Sequence, residues 1–241
     1  MRVGTVERIW RYPVKSMLGE LLAAAELGRS GLAGDRQYAI RDAAGKLGSG
    51  KSSARFRCFP GLLTMSARYA PDGVAVITLP DGRTVRTDEQ RVHDELRAAL
   101  GCRELELATA AKDPFHDDAP VHLVTVAAVD WLAAGVPAVA VDERRLRPNL
   151  LIRTEYGTGS VEDGPVEDGW LGGTLRIGAT VRLRVTKRTQ RCAMVNAAQQ
   201  DLPHSAEVLR SIAERNDLAL GVHAEVLAGG PVLLGDPVTL E

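Results

Sequence analysis

Two Pro-Asp-Gly tripeptides, Pro71-Asp72-Gly73 and Pro80-Asp81-Gly82, bracket one short run, "VAVITL". In each, proline presets φ and glycine supplies the φ > 0 position of a tight turn, so the chain must reverse twice within a few residues. A helix does not fit between such reversals, whereas a β-strand does. The runs "RVGTVERIWRY", "RQYAIRD", "LLTMSARY" and "RTVRT" are of the same kind: short, rich in β-branched or aromatic residues, and closed by turn signals. The first part of the chain is therefore expected to be a hairpin-built sheet or barrel.

Helical patterns are fewer. "TDEQRVHDELRAALG" has Thr87 and Gln90 at capping-box spacing, Val92, Leu96 and Leu100 on one face, and Gly101 as a stop. "TVAAVDWLAAG" reads as a short helix and "SAEVLRSIAERN" as another with Ser205 at its N-cap, while "LLIRT", "TLRIG", "TVRLRVTK", "HAEVL" and "PVTL" read as strands. The fold class expected is mainly β with a few helices, α+β, with a boundary between Cys102 and Pro120. The glycine-rich, acidic "YGTGSVEDGPVEDGW" is a candidate loop.

With 241 residues, 45% of them hydrophobic and 25% charged, the chain can bury one large core or two modest ones. Its formal net charge of −1, with basic residues scattered among acidic ones, leaves no electrostatic footprint for nucleic acid. "MRVGTVERIWRYPVKS" has no signal-peptide pattern, and no later run approaches the roughly 20 apolar residues of a membrane span. A cytoplasmic protein without a membrane partner is expected. Cys58, Cys102 and Cys192 are far apart and odd in number, and the histidines form no H-x-x-x-H pair, so neither a disulfide framework nor an ordinary zinc site is in view.

"GKLGSGKSS", Gly45 to Ser53, contains G-x-x-x-x-G-K-S, the phosphate-cradling loop of nucleotide hydrolases. That loop must lead into a helix, yet "SARFRCFPGLL" follows with no helical apolar stripe and with Pro60-Gly61 to break one. Asp130, which could complete a magnesium site, continues a helical pattern instead. The stretch reads as a hairpin loop with Lys51 a surface charge, and the P-loop hydrolase stays only as a distant alternative.

Other stretches are harder to explain as scaffold. "YPVKS" ends a strand and presents Lys15 and Ser16, "GLAGDR" sets Asp35 and Arg36 after a glycine turn, "RLRPNL" places Arg147 and Asn149 either side of a proline, and "KRTQRCAMVN" ends a strand with Cys192 among cations. Together with "PVHLVT" and the closing "LGDPV", these motifs, in this order, resemble the MOSC-domain proteins that carry an N-terminal β-barrel domain, such as the mitochondrial amidoxime-reducing components and their bacterial relatives. The resemblance implies an N-terminal β-barrel domain over residues 1–110 and a MOSC domain, a barrel with helices, over 111–241.

The resemblance also implies a molybdenum cofactor (Mo-molybdopterin), its metal held by pterin dithiolene sulfurs. Cys192 would be the thiolate ligand to molybdenum and the catalytic residue. Lys15, Ser16, Arg36 and Arg147 would bind phosphate and pterin, with Arg191 beside Cys192 and, on a looser match, Thr125 and Asn149. A thiolate suits a soft, sulfur-bound metal, and Arg188 and Arg191 should favour its ionised form. The implied reaction is reduction of an N-hydroxylated small molecule, R–NHOH, to R–NH2. Asp35 and His122 lie near by motif position as proton donors. No cysteine cluster for an iron–sulfur domain follows, so electrons are expected from a separate donor protein, with the acidic loop Glu162 to Asp168 as a possible docking surface. The alternative is a molybdenum-cofactor or sulfur carrier without its own turnover.

Overall fold

Val181, Leu183 and Val185 are fully buried and the alternating Arg182, Arg184 and Thr186 are exposed, the period-two pattern of a strand with one face turned to a core. The computed structural model of the chain describes residues 1–155 and 164–241, and in it seven strands of this kind close into a barrel. They are Arg2–Arg11 (β1), Val121–Thr125 (β2), Leu150–Thr154 (β3), Thr174–Ile177 (β4), Val181–Gln190 (β5), Ala219–Ala228 (β6) and Pro237–Leu240 (β7). Around the barrel the order is β3-β2-β6-β5-β4-β7-β1, and β1 pairs back to β3. Only β2 and β3 run parallel. Closure gives each of these seven strands two barrel neighbours, the short strand Glu20–Leu22 adds to the far end of β1, and the interior is filled by Val6, Ile9, Leu123, Ile152, Leu183 and Val222 among others.

Two helices cover part of the outside. Val126–Gly135 (labelled α2) and Glu207–Asn216 (α3) pack Trp131, Leu132, Val208 and Ile212 onto the outward-facing Val124, Leu151 and Leu220. The third helix, α1, spans Val92–Leu100 and belongs to the other unit.

That unit is built from a three-stranded sheet of Ser66–Tyr69, Ala75–Thr78 and Thr84–Arg86, and a four-stranded sheet in which Tyr38–Asp42 lies between Leu105–Thr109 and Leu47–Ser49, with Phe56–Cys58 at its edge. Both Pro-Asp-Gly turns form as expected, with Gly73 at φ 81° and Gly82 at φ 85°. Met17, Ile40, Leu62, Ile77 and Leu96 make its core.

The chain is thus mainly β with few helices, as expected. Three local readings shift. Helix α1 starts at Val92 instead of being capped from Thr87, because the Thr87 N–H still bonds to Ala75 in the sheet. Helix α3 starts at Glu207, with Ser205 Oγ accepting its N–H at 3.3 Å from one residue before the cap position. "LLTMSARY" opens in a 3-10 turn, and its strand begins at Ser66. A cut at residue 110 assigns β1 to the first half of the sequence, whereas in space β1 lies between β3 and β7 of the barrel.

The expected docking loop begins outside the described residues; of its described part, Glu167 is fully buried and Asp168 pairs with Arg188. Among the described residues no helix is long and apolar enough to cross a membrane, and all three cysteines are free.

Candidate functional site

Val121 and Leu123 point into the barrel, so His122 between them must point out. It stands opposite His223 of β6, and the two rings meet edge to face with centroids 5.4 Å apart. Next to them β5 is irregular. Its register against β6 shifts between Val185 and Lys187 and again between Arg188 and Gln190. Such bulges re-aim side chains. Here Gln190, Arg191 and Cys192 line the same cavity as the histidines, while Arg188 turns to Asp168 at 2.9 Å and to the Asn216 carbonyl at 3.0 Å. Arg188 is therefore not the neighbour of Cys192 that the sequence led us to expect.

The cavity, about 340 Å³, lies between the two units and is lined from both. Lys15, Ser16, Arg36, Arg147, Asn149, Arg191 and Cys192 all line it. Three of them, Ser16 (φ 64°), Arg36 (φ 50°) and Arg147 (φ 55°), are among only six non-glycine residues with positive φ in the described chain. Each such residue costs about 1 kcal/mol or more and persists only where the surroundings hold it. Strain is thus concentrated on the walls of this cavity.

The Tyr12 ring carries two of these guanidinium groups, Arg36 at 4.9 Å and Arg147 at 4.3 Å from its centroid. Burial opposes the Arg36 charge, but the paired Asp35 carboxylate and Tyr12 outweigh it and raise its pKa. Among the described residues Arg147 has no carboxylate partner and its buried Nη1 and Nη2 have no hydrogen bond; burial lowers its pKa to about 10. It remains charged at neutral pH. Burial also lowers the pKa of Lys15, although Asp117 pairs with it and pulls the other way.

Arg191 is fixed from three sides. Its Nε donates to the Leu220 carbonyl at 2.7 Å, its Nη1 to the Leu146 carbonyl at 2.8 Å, and its Nη2 to His122 Nε2 at 2.8 Å. Because that nitrogen accepts, Nδ1 carries the His122 proton and donates to the Arg147 carbonyl at 3.1 Å. Burial, then Arg191, hold the His122 pKa well below its usual value, so the ring is neutral. Arg145, fully buried, spends its donors on carbonyls of Ala140, Val195, Ala197 and Pro203, and so fastens the segment that follows Cys192.

Two expected residues act differently. Thr125 is fully buried away from the cavity, capping α2 through the Ala128 N–H at 3.0 Å and donating to Glu167 at 2.7 Å. Asn149 lines the cavity but uses its side chain as a strut, accepting from the His122 N–H at 3.1 Å and donating to the Trp10 carbonyl at 3.4 Å. Of the proposed proton donors, Asp35 is fully buried against Arg36 and the Tyr12 N–H. His122 has both ring nitrogens engaged.

Lys51 lines the cavity, and so do Arg55, Phe56, His116, Asp117, Asp118 and His223, which the sequence does not single out. "FHDDAP" carried a usable signal, a histidine beside two acids just ahead of a buried strand. Lys51 was in view, but as a surface charge. Among the described residues no cluster of three or more His, Cys, Asp or Glu could hold a bare metal ion.

Two family models match the chain, and their matches overlap over residues 111–135. A family model described as a MOSC N-terminal beta barrel domain matches residues 3–135, and one described as a MOSC domain matches residues 111–239. No curated protein matches the chain. Among solved structures, the YUAD protein from Bacillus subtilis (APC1665) shares the fold, with a TM-score of 0.54 and 10% identity over 99% of this chain and 95% of that one. YiiM from Geobacillus stearothermophilus gives a TM-score of 0.37 and 17% identity over 56% of this chain and 67% of that one.

Proposed function

The chain belongs to the MOSC-domain proteins with an N-terminal β-barrel domain, and on that premise we propose that it is a molybdenum-cofactor-dependent reductase of N-hydroxylated small molecules. MOSC domains are associated with molybdenum-cofactor binding in general. One observation carries the reading: the guanidinium of Arg147 holds buried donors that have no partner among the described residues, in a cavity it shares with Cys192. An unmet buried donor costs about 1–3 kcal/mol, and a charged one more, so an anion placed there recovers a large term.

The rest of the donor set fits a phosphate-terminated, sulfur-ligated metal group. Arg147 and Arg36 are suited to planar, multi-point recognition and Lys15 to a point charge. A single cysteine thiolate suits a soft metal whose other ligands come from elsewhere. Lys15, Ser16, Arg36 and Arg147 would hold the phosphate and pterin, and Cys192 would ligate the metal. Arg191, locked on the Leu146 and Leu220 carbonyls, keeps a fixed positive charge beside Cys192. His122 positions Arg191, and Asn149 ties the strand of His122 to β1.

When bound, the cofactor supplies the two-electron chemistry by which R–NHOH and two protons become R–NH2 and water. A separate protein would deliver the electrons. The decisive experiment is purification from a molybdenum-replete host, analysis of bound metal and pterin, and assay on an amidoxime with a chemical electron donor. Metal, pterin and turnover are expected in the natural protein, with metal and turnover lost in Cys192→Ser. Metal without turnover on any N-hydroxylated substrate favours the carrier, and absence of both metal and pterin overturns the assignment.

A further inference from the structure

The stretch that imitates a nucleotide loop forms part of the cavity mouth. Leu47–Ser49 is a strand, and the segment after it returns to Phe56–Cys58 alongside. Ser53 Oγ accepts the Arg55 and Phe56 N–H groups at 3.2 Å each, Ser52 Oγ accepts the Cys58 N–H at 3.2 Å, and Ser53 N–H donates to the Phe56 carbonyl at 2.9 Å. The segment is also seated on the wall that carries Cys192. Ser49 Oγ lies 3.5 Å from Met194 Sδ, and a Cβ at Gly50 would stand 3.0 Å from Met194 Cγ.

This gathers three cations around one buried aromatic ring. Phe56 is buried, and its ring is approached by Arg55 at 5.1 Å, Lys51 at 5.6 Å and Lys15 at 5.1 Å. Three like charges around one ring repel one another unless an anion is present. Lys15 is compensated by Asp117, and the adjacent Arg57 by Asp42. Among the described residues Lys51 and Arg55 pair with no carboxylate. Arg55 is exposed and Lys51 half-buried on the mouth segment, whereas the guanidinium nitrogens of Arg147 are buried and Arg36 and Arg147 both stand over the buried Tyr12.

Resting on the reductase reading above, we infer that the Lys51–Arg55 rim recognises a carboxylate on the substrate, so that the protein acts on N-hydroxylated molecules bearing an anionic group. The inner cations serve one anion, deep in the cavity. The rim serves a second, near solvent, where it also draws anionic molecules to the mouth.

Benzamidoxime and 4-carboxybenzamidoxime test this, both by turnover of the holoenzyme and by calorimetric titration. The carboxylate is expected to bind about tenfold more tightly and to have about tenfold higher kcat/KM, a preference that shrinks as salt rises. Lys51→Ala/Arg55→Ala should bring the ratio between the two substrates to near one. The charge-conserving Lys51→Arg/Arg55→Lys should keep it, and molybdenum and pterin content should match the natural protein in both. Equal binding of the two compounds by the natural protein overturns the inference. So does loss of cofactor in the alanine variant, which would assign the rim to the cofactor. If neither compound is turned over but the carboxylate still binds more tightly and loses that advantage in the alanine variant, the rim stands and the reductase reading fails.

Discussion

At Arg147 a buried guanidinium without a hydrogen-bond partner among the described residues is attached to a backbone held at φ 55°, so two unfavourable features meet at one position. In the cofactor-free protein Arg147→Asn removes the unmet charge and places a residue that tolerates the left-handed region, at the loss of one cation–π contact. Stability is expected to rise by about 1 kcal/mol in denaturant titrations, while bound pterin falls. Glu167 gives a prediction in pH. It is fully buried on Thr125, and burial raises its pKa from 4.5 to about 7. The native state therefore holds this proton more tightly than the unfolded chain does. Its contribution is complete below about pH 4.5 and is lost as pH rises through about 7, by up to about 3 kcal/mol. Glu167→Gln should remove that decline and be the more stable form above pH 7, as a comparison of Tm against pH would show.

Among the elements, β6 packs against β2 where Gly221 takes φ 80°. A Cβ there would meet His122 Nε2, the Leu123 carbonyl and Val124 Cγ2, each at 2.8 Å. Two of these are strand atoms that cannot move freely, and the third is the acceptor that holds Arg191. Gly221→Ala is expected to lower stability by about 2–4 kcal/mol in chemical denaturation, combining positive-φ strain with overpacking. The same elements show what local pattern conveys. Alternation in "TVRLRVTK" marks β5 without help, yet the bulges at its end, which send Arg188 outward and Arg191 inward, arise from pairing with β6. A strand pattern counts residues in twos, and a bulge breaks that count at a place set by the partner strand.

For the molecule as a whole, β1 is the piece that closes the barrel. Without residues 1–11, β3 and β7 become open edges with unpaired backbone groups. A chain beginning at Tyr12 is expected to aggregate on expression, measured as the soluble fraction. The two ends of the chain meet, since the Met1 ammonium donates to the Leu240 carbonyl at 2.7 Å. A circular permutant joined there by a short linker and opened at the exposed Gly73 turn should fold with a Tm within a few degrees of the parent. Together the two results would separate the need for β1 as a strand from any need for it to come first in the chain.

Fold class was legible because it rests on short-range rules: turn residues that demand φ > 0, alternation along strands, and helical spacing over a few turns. Much of the site was legible as well, because "YPVKS", "GDR", "RPN" and "RC" each bring a chemically committed side chain together with its local backbone, and Lys15, Ser16, Arg36, Arg147, Arg191 and Cys192 do line one cavity. Thr125 lies apart from the cavity because a hydroxyl at a strand end serves a helix cap as readily as a ligand, and only the buried Glu167 beside it decides which. Lys51 was set aside for the converse reason. Its local sequence fits an exposed hairpin loop, whereas the segment joins the parallel strands Leu47–Ser49 and Phe56–Cys58 and is seated on Met194 at the mouth of a cavity formed by another part of the chain. Local sequence sets conformation and the kinds of chemistry on offer; burial and proximity between residues far apart in the chain belong to the closed barrel and the unit packed against it.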